Sequence, residues 1–227
     1  MKILAVETAT PACSAALLVD GEIHARFQMA PREHTRLILP MVEALLGESG
    51  LAVTQLDAIA FGRGPGSFTG VRIATGVAQG IAFGAELPVL AVSTLASMAQ
   101  TVFNQGKALQ AFTALDARMG EIFWAVYQKD PEGLAQLIEA ESVTQAENIQ
   151  FPAGEGVGIG SGWGVYGDVL REKLDAQVTA IETDVWPMAA TIVQLAARDY
   201  RLGRAVAPEL AMPVYLRDKV AKKESER

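Results

Sequence analysis

The residues most suggestive of chemistry form a glycine-rich loop between an apolar segment and a stretch of small residues. The loop runs from Gly62 to Gly70 with the sequence GRGPGSFTG, and backbone amides at a helix start attract anions such as phosphate. A Walker loop ends in Gly-Lys-Ser/Thr, and the dinucleotide fingerprint requires a glycine where Thr69 stands, so neither motif matches. The sequence favours a tight strand-to-helix turn over an anion site.

Three other turns carry residue types that nucleotide sites and hydrolases use. Glu7-Thr8-Ala9-Thr10 follows the first apolar segment, where it supplies either a carboxylate and hydroxyls to a ligand or local hydrogen bonds to its own backbone. Asp116-Ala117-Arg118 occupies the matching turn in the second half, and an Asp and Arg two apart are more often a solvated pair. Gly160-Ser161-Gly162 lacks the outer glycines of a nucleophile elbow, which argues against a serine hydrolase.

Metal-ligating residues are scarce in this chain. Its two histidines, His24 and His34, lie on different predicted elements, and Cys13 is the single cysteine. One cysteine excludes an internal disulfide and a cysteine-based zinc site, and the histidines have no acidic cluster at ligand spacing. We predict that Cys13 is a core residue and that His34, at a helix start, bonds locally or contacts a partner.

These residues must be positioned by alternating strands and helices. In the first half we predict strands at 2–6, 14–19, 22–29, 56–61 and 88–92, with helices at 33–46, 70–84 and 94–103. In the second half we predict strands at 111–115, 122–128, 134–139 and 156–159, with helices at 166–173 and 187–202. The similar order predicts an α/β fold of two lobes, each of βββαβαβα type: residues 1–104, residues 105–217, and a charged flexible tail at 218–227.

Two predicted helices are more apolar than one core contact requires. The helix at 33–46 carries apolar residues over roughly 220° of its circumference, about twice the usual stripe, and Pro40 should kink it. The helix at 70–84 has glycines every four residues on one flank and alanines on the opposite flank: Gly76, Gly80 and Gly84, then Ala74, Ala78 and Ala82. An interior glycine costs about 1 kcal/mol relative to alanine. This helix is therefore predicted to contact another backbone closely.

The overall composition and net charge argue against several classes of function. The chain has 227 residues and a net charge of −7, which argues against a large phosphate-binding surface of its own. It has no apolar run long enough to span a membrane and no signal-peptide pattern at its start, so we expect a cytoplasmic protein that does not bind membranes.

Four segments carry a family resemblance: Glu7 to Ala9, Arg32 to Thr35 through Leu39-Pro40, Gly64 to Ile73, and Pro213 to Arg217. They resemble the TsaB (YeaZ) family, accessory subunits in bacterial synthesis of threonylcarbamoyladenosine (t6A) in tRNA. The resemblance covers the whole chain, and the glycine-loop motif is its most specific part. It implies an actin-like ATPase (ASKHA, RNase H-like) fold.

The resemblance also implies that catalytic groups have been lost. The related catalytic subunit TsaD carries a His-x-x-x-His metal motif, and the corresponding positions here hold Thr94 and Met98. Residues 116–118 stand where TsaD has a glycine-rich nucleotide loop, which argues against tight ATP binding. The resemblance therefore implies no catalytic residue, no metal and no cofactor. A vestigial nucleotide site would comprise Glu7, Thr8, Asp116, Gly160 and Gly162.

The function implied by the resemblance is that of a non-catalytic scaffold. The chain would bind TsaD, with the ATPase TsaE joining, while TsaD transfers the threonylcarbamoyl group to adenosine 37 of tRNA. Contact with tRNA would be indirect, and a homodimer would form without TsaD, because a large apolar surface seldom stays bare. The partner-binding helical bundle would use His34, Leu37, Ile38, Met41, Leu45, Ile73, Gly76, Val77, Gly80 and Ile81.

The alternative is an actin-like, nucleotide-dependent enzyme acting alone, such as a small kinase or ATPase. It would need an acidic residue near the phosphates, for which Glu7 and Asp116 are the candidates. Micromolar binding and turnover of Mg-ATP by the isolated chain would favour this alternative. A metallopeptidase is disfavoured because the sequence has no ligand set for its metal.

Overall fold

The first half of the chain forms a five-stranded mixed sheet in a computed structural model, which describes residues 1–217. The strand order is β3-β2-β1-β4-β5, with β1, β4 and β5 parallel and the β1-β2-β3 meander antiparallel. The Asp20-Gly21 turn joins β2 to β3, and both residues have positive φ, as a tight two-residue hairpin requires. The strands are β1 Lys2–Glu7, β2 Ala12–Val19, β3 Glu22–Met29, β4 Ala58–Gly62 and β5 Val89–Val92.

The second half forms another five-stranded sheet with the same arrangement. Its order, β8-β7-β6-β9-β10, matches β3-β2-β1-β4-β5 strand for strand, and the directions of the strands match as well. The last strand, β10, was not predicted, because its short, partly exposed sequence has no clear apolar pattern. The strands are β6 Gln110–Arg118, β7 Glu121–Lys129, β8 Ala135–Thr144, β9 Gly156–Ile159 and β10 Val178–Glu182.

Five α-helices complete the described residues. The first lobe has the predicted βββαβαβα order, but the second has only a 3-10 turn, Ala146–Asn148, where a helix was expected after β8. The connection there is short and contains Pro152 and Gly154, which do not favour a helix. The helices are α1 His34–Ser49, α2 Phe68–Ala85, α3 Thr94–Asn104, α4 Ser161–Leu174 and α5 Ala189–Arg201.

Helix boundaries differ from prediction at two places in the first lobe. α1 continues through Pro40 and past Gly47 to Ser49, and Gly50 ends it in a left-handed conformation. α2 begins two residues earlier than predicted, at Phe68, because Ser67 caps it by accepting a bond from the Gly70 amide (3.5 Å).

The helices do not follow the division between the two sheets. α5, late in the chain, packs on β1, β2, β4 and β5 of the first sheet, whereas α3 packs on β6, β7 and β8 of the second. α3 and α5 also contact each other, and one apolar core joins them to the facing sides of both sheets. The two sheets fall on either side of residue 105, but their main core is shared.

Each sheet has a second core on its outer side. α1 and α2 cover the outer side of the first sheet, and α4 covers that of the second around Trp124 and Trp163. None of the helices in residues 1–217 combines the length and apolar composition needed to cross a membrane. The predicted tail, residues 218–227, lies outside the described residues.

Candidate functional site

The Glu7 carboxylate lies at the end of β1 and is completely buried. Its Oε1 accepts a bond from the Ala9 amide (2.5 Å), and its Oε2 accepts one from the Thr94 hydroxyl (3.3 Å). Burial raises the pKa of Glu7 from its ordinary 4.5 to about 7, although the bonds from Ala9, Thr94 and Thr8 oppose the rise. A carboxylate at this position meets protein atoms on every side.

The glycine loop closes over this carboxylate and the turn that follows it. A side chain at Gly62 would overlap the Glu7 carboxylate, and one at Gly66 would lie 2.5 Å from the Ala9 carbonyl oxygen. The Ser67 amide donates to that same carbonyl (2.7 Å), and the Thr8 hydroxyl donates to the Gly70 carbonyl (2.7 Å). The Ser67 amide and the space beside these glycines are thus used within the chain, as a tight turn requires.

The two corresponding turns of the second lobe, after β9 and after β6, are also closely packed. A Cβ at Gly160 would lie 2.5 Å from the Ala114 carbonyl oxygen, and one at Gly162 would lie 2.8 Å from the Ala114 Cβ. Asp116 accepts a bond from the Arg118 amide (2.9 Å) and pairs with the Arg118 guanidinium (3.5 Å). The five residues of the candidate vestigial nucleotide site therefore lie in three turns, β1–β2, β6–β7 and β9–α4, whose groups bond to and pack against other protein atoms.

The two positions that correspond to the TsaD histidines have structural contacts. Thr94 bonds to Glu7 as described, and Met98 is fully buried with its Cε against Gly160. Within residues 1–217, no group of three or more His, Cys, Asp or Glu side chains lies close enough together to hold a metal ion. The described part of the cleft provides buried packing rather than ligating groups.

A groove of about 630 Å³ lies between the lobes, and Arg63 of the glycine loop is among the residues that line it. None of the five cleft candidates lines it. A buried polar cluster forms part of its wall: Glu141 of the second lobe pairs with Arg63 (2.8 Å) and accepts bonds from the hydroxyls of Tyr127 (2.7 Å) and Ser93. Burial, and next the Glu141 charge, raise the pKa of Tyr127 above its ordinary range. This cluster links Arg63 and Ser93 of the first lobe to Glu141 and Tyr127 of the second, and so stabilises the contact between the lobes.

The two flanks of α2 have opposite environments. Ala74, Ala78 and Ala82 are fully buried against the first sheet. Gly76 and Gly80 are exposed, and a Cβ added to either would meet no atom within 4 Å outside the local helix backbone. No other part of the described chain packs closely against these glycines, although their lack of a side chain would allow it.

The polar side of α2 holds the segment near the end of the described chain. Arg72 donates from Nε to the Tyr215 hydroxyl (2.8 Å), and Gln79 donates to the Ala211 carbonyl (2.9 Å). The Val214 amide donates to the Arg63 carbonyl (2.8 Å), which places this segment across the start of α2. No pattern in the sequence indicates this contact, because the two segments are more than 130 residues apart.

Three of the residues expected at a partner surface face the core instead. His34, Ile38 and Leu45 are buried under α1, with 9%, 0% and 2% of their surface exposed. His34 bonds through Nε2 to the Thr10 carbonyl (2.8 Å). Their assignment to a partner surface is wrong, because a helix that is apolar over most of its circumference must turn one side to its own sheet, and the sequence does not say which.

The remaining residues form a continuous candidate surface, here called the α1–α2 face. Leu37, Met41, Ile73, Val77 and Ile81 are half-buried. On α2, the three apolar residues lie along one side of the exposed glycines. Phe83, 75% exposed, was missed by the sequence prediction. The α1–α2 face comprises Leu37, Met41, Ile73, Gly76, Val77, Gly80, Ile81 and Phe83.

This face contains no titratable group, so it is suited to packing rather than to chemistry. Large apolar side chains lie beside a strip of glycine backbone, and small residues allow the backbone of another helix to approach closely. An exposed apolar patch of this kind is typical of a protein-binding site.

Comparison with known proteins shows which protein family has this arrangement. Residues 22–225 match the family model described as TsaD, tRNA N6-adenosine threonylcarbamoyltransferase. The tRNA threonylcarbamoyladenosine biosynthesis protein TsaB of Escherichia coli K12 is 46% identical over 97% of this chain and 96% of its own. The chain belongs to the TsaB family. TsaB of Haemophilus influenzae is 38% identical, over 97% of this chain and 95% of its own.

Solved structures agree with this assignment. YeaZ from Pseudomonas aeruginosa is 41% identical and covers 95% of this chain and 99% of its own, with a TM-score of 0.88. A second Pseudomonas aeruginosa structure, described as similar to peptidase YEAZ, is 42% identical with a TM-score of 0.89 over the same shares. The TsaB family and the TsaD model share the actin-like, RNase H-like fold, which confirms the predicted fold class.

Proposed function

We propose that this TsaB-family chain is a non-catalytic subunit of t6A synthesis that binds TsaD through the α1–α2 face. TsaE joins this complex, and TsaD transfers the threonylcarbamoyl group to adenosine 37 of tRNA. Family membership supports the pathway, since the E. coli and H. influenzae relatives are named for t6A biosynthesis. Because this chain matches the TsaD family model, we propose the related catalytic subunit TsaD as its partner.

The observation that carries the proposal is the pair of exposed glycines inside α2. Gly76 and Gly80 each cost the helix about 1 kcal/mol relative to alanine, and no atom outside the local helix backbone would contact a Cβ at either position. The buried flank shows that this helix uses alanine where it packs on its own sheet. The glycines are explained if a partner helix crosses them at short distance.

The cleft supports a scaffold over an enzyme acting alone. Glu7, one of the two acidic candidates, is fully buried and bonded to its neighbours, and Asp116 bonds to its own turn. The glycines of both loops contact protein backbone rather than leaving space for phosphates. In the proposed complex, contact with tRNA is made mainly by TsaD, in keeping with the net charge of −7.

The same face pairs with a second copy of the chain when TsaD is absent. Half-buried Ile73, Val77 and Ile81 flank a strip that is self-complementary if two copies of α2 cross at the glycines. We infer that this complex works in the cytoplasm, where tRNA modification takes place.

The experiment that tests the proposal fills the glycine strip. Gly76→Leu combined with Gly80→Leu should leave the monomer folded, because both positions are open and leucine favours helix. Affinity for the cognate TsaD, measured by calorimetry, should fall about 100-fold, because leucine holds the partner backbone away. Formation of t6A in a reconstituted reaction should fall with it.

Gly167→Leu in α4 is the matched control, since a Cβ there also meets nothing within 4 Å. It should leave TsaD affinity and t6A formation unchanged. Unaltered TsaD binding by a correctly folded Gly76→Leu/Gly80→Leu variant would show that the α1–α2 face is not the binding site.

A further inference from the structure

A small aromatic and cationic cluster lies at the start of α2, beside the α1–α2 face. The Arg72 guanidinium carbon lies 3.6 Å from the centroid of the Phe68 ring and 5.7 Å from that of Tyr215. Arg72 Nε donates to the Tyr215 hydroxyl at 2.8 Å, and the two ring centroids are 5.7 Å apart. The side chain of Arg72 is thus fixed on two sides by aromatic residues.

All three members of the cluster are nevertheless accessible. Phe68 is 54% and Tyr215 45% exposed, and Arg72 is also exposed. Aromatic side chains of this size are normally buried when their only role is to stabilise the fold. Their exposure, together with an ordered arginine, is typical of binding hot spots, in which Arg and Tyr are enriched.

The charge of Arg72 is not neutralised by the described chain. Among residues 1–217, no carboxylate lies within ion-pair distance of its guanidinium, whereas Arg63, Arg198, Arg204 and Arg217 each pair with an acid. The first turn of α2 contains no acidic residue either. The Arg72 Nη groups therefore retain donors that match the geometry of a carboxylate.

The position of Arg72 connects it to the candidate interface. Residues four apart lie on one side of a helix, so Arg72, Gly76 and Gly80 form one row along α2. At 1.5 Å per residue, Arg72 lies about 6 Å from Gly76 along the axis. A helix that crosses the glycines would place its neighbouring residues over the cluster.

We propose that Arg72, held in place by Phe68 and Tyr215, binds a carboxylate of TsaD at the edge of the α1–α2 face. This inference rests on the proposed function, since it assumes that TsaD occupies that face. Because the two aromatic residues order the arginine before binding, less side-chain entropy is lost when the ion pair forms. Tyr215 thereby acts as a positioning residue that couples the end of the chain to partner recognition.

The test measures the affinity of full-length chains for TsaD by calorimetry at about 50 mM and about 500 mM NaCl, since salt weakens an exposed ion pair. Arg72→Met keeps the side-chain length over Phe68 but removes the charge. It should weaken binding about tenfold at low salt and clearly less at high salt. Tyr215→Phe, which keeps the ring but frees the guanidinium, should weaken binding about threefold.

Arg171→Met, at an exposed position of α4, is the matched control and should change neither affinity nor its salt dependence. Unchanged affinity of Arg72→Met, while Gly76→Leu/Gly80→Leu abolishes binding, would overturn the role of Arg72 but leave the proposed function standing. If the glycine variant also binds normally, the proposed function itself fails.

Three further outcomes would also overturn the inference. An equal loss for Arg72→Met at both salt concentrations would show that packing, and not charge, is lost. Asp218→Asn with the same effect as Arg72→Met would show that the arginine pairs within its own chain. Weaker tRNA binding by the assembled complex, with normal TsaD affinity, would assign the cluster to RNA.

Discussion

The helices α2 and α4 occupy equivalent places in the two lobes but present different surfaces. Each follows a parallel strand through a glycine turn and packs on the outer side of its sheet. The outward side of α2 is glycine and apolar, and α1 lies beside it. The outward side of α4 carries Asp168, Arg171, Glu172 and Lys173, and a 3-10 turn replaces the helix that would accompany it.

This difference shows that the fold alone does not explain the outer surface of α2. Both helices bury one side on a sheet, so the repeated architecture accounts for Ala74 and Ala78 in α2 and for Trp163 and Leu170 in α4. A charged outer side, as on α4, is the ordinary solution for a solvated helix. The outer side of α2 departs from this solution, which is why we assign it a partner.

The largest expected effect comes from placing the same charge on each helix. Val77→Arg in α2 should lower the affinity for TsaD about 1,000-fold, or about 4 kcal/mol, because the guanidinium would be buried without a partner. Val165→Arg, at a 60% exposed position of α4, should leave affinity unchanged. Pull-down of TsaD and calorimetry measure both. Equal losses of TsaD affinity for Val77→Arg and Val165→Arg would show that the outer sides of α2 and α4 do not differ in TsaD binding.

A second comparison concerns the acidic residues at the ends of β1 and β6. Glu7 has a pKa of about 7 when folded, above its ordinary 4.5, so the folded protein holds a proton that the unfolded chain releases between these values. Its contribution to stability is fully present below pH 4.5 and is lost as the pH rises through about 7. Over this pH range the free energy of unfolding should fall by about 3 kcal/mol.

Chemical unfolding of the wild type and of Glu7→Gln between about pH 5 and pH 8 measures this contribution. The wild type should lose stability over the range relative to Glu7→Gln, because glutamine does not titrate. Asp116→Asn removes a partly exposed carboxylate and should keep the wild-type slope. A wild-type slope in Glu7→Gln would mean that the Glu7 proton does not contribute.

The smallest effect separates helix stability from binding. Gly76→Ala and Gly167→Ala each place a methyl group in open space, so each should raise the free energy of unfolding by up to about 1 kcal/mol. Only Gly76→Ala should weaken TsaD binding, since only α2 is expected to meet a partner backbone. Denaturant titration and calorimetry on the same preparations test this. A loss of stability in Gly76→Ala would point to a contact within the chain.

Much of the fold could be predicted from local sequence. Asp20-Gly21, between two apolar segments, is a local signal for the hairpin that joins β2 to β3. The glycine and alanine periods of residues 70–84 predicted the two flanks of α2. Both features depend on residues close together in the chain. The repeated element order predicted two lobes, and only the helix missing after β8 departed from it.

Features that depend on distant contacts were not predicted. No pattern within α5 shows that it packs on the first sheet, and none at Tyr215 shows that it reaches Arg72. The sequence leaves open whether His34 bonds locally or contacts a partner, because a helix apolar on most sides gives no means of choosing its inner side. Burial against β2 decides that choice, and it is a property of the folded chain.

The position of α5 has a consequence for how this protein is made. When a ribosome has synthesised residue 104, all five strands of the first sheet exist, but the helix that covers its inner side has not been translated. That side, with Ile3, Ala5 and Leu90, stays bare until about a hundred further residues have been added, at roughly 5–20 residues per second. The nascent first lobe is therefore a natural client for a chaperone.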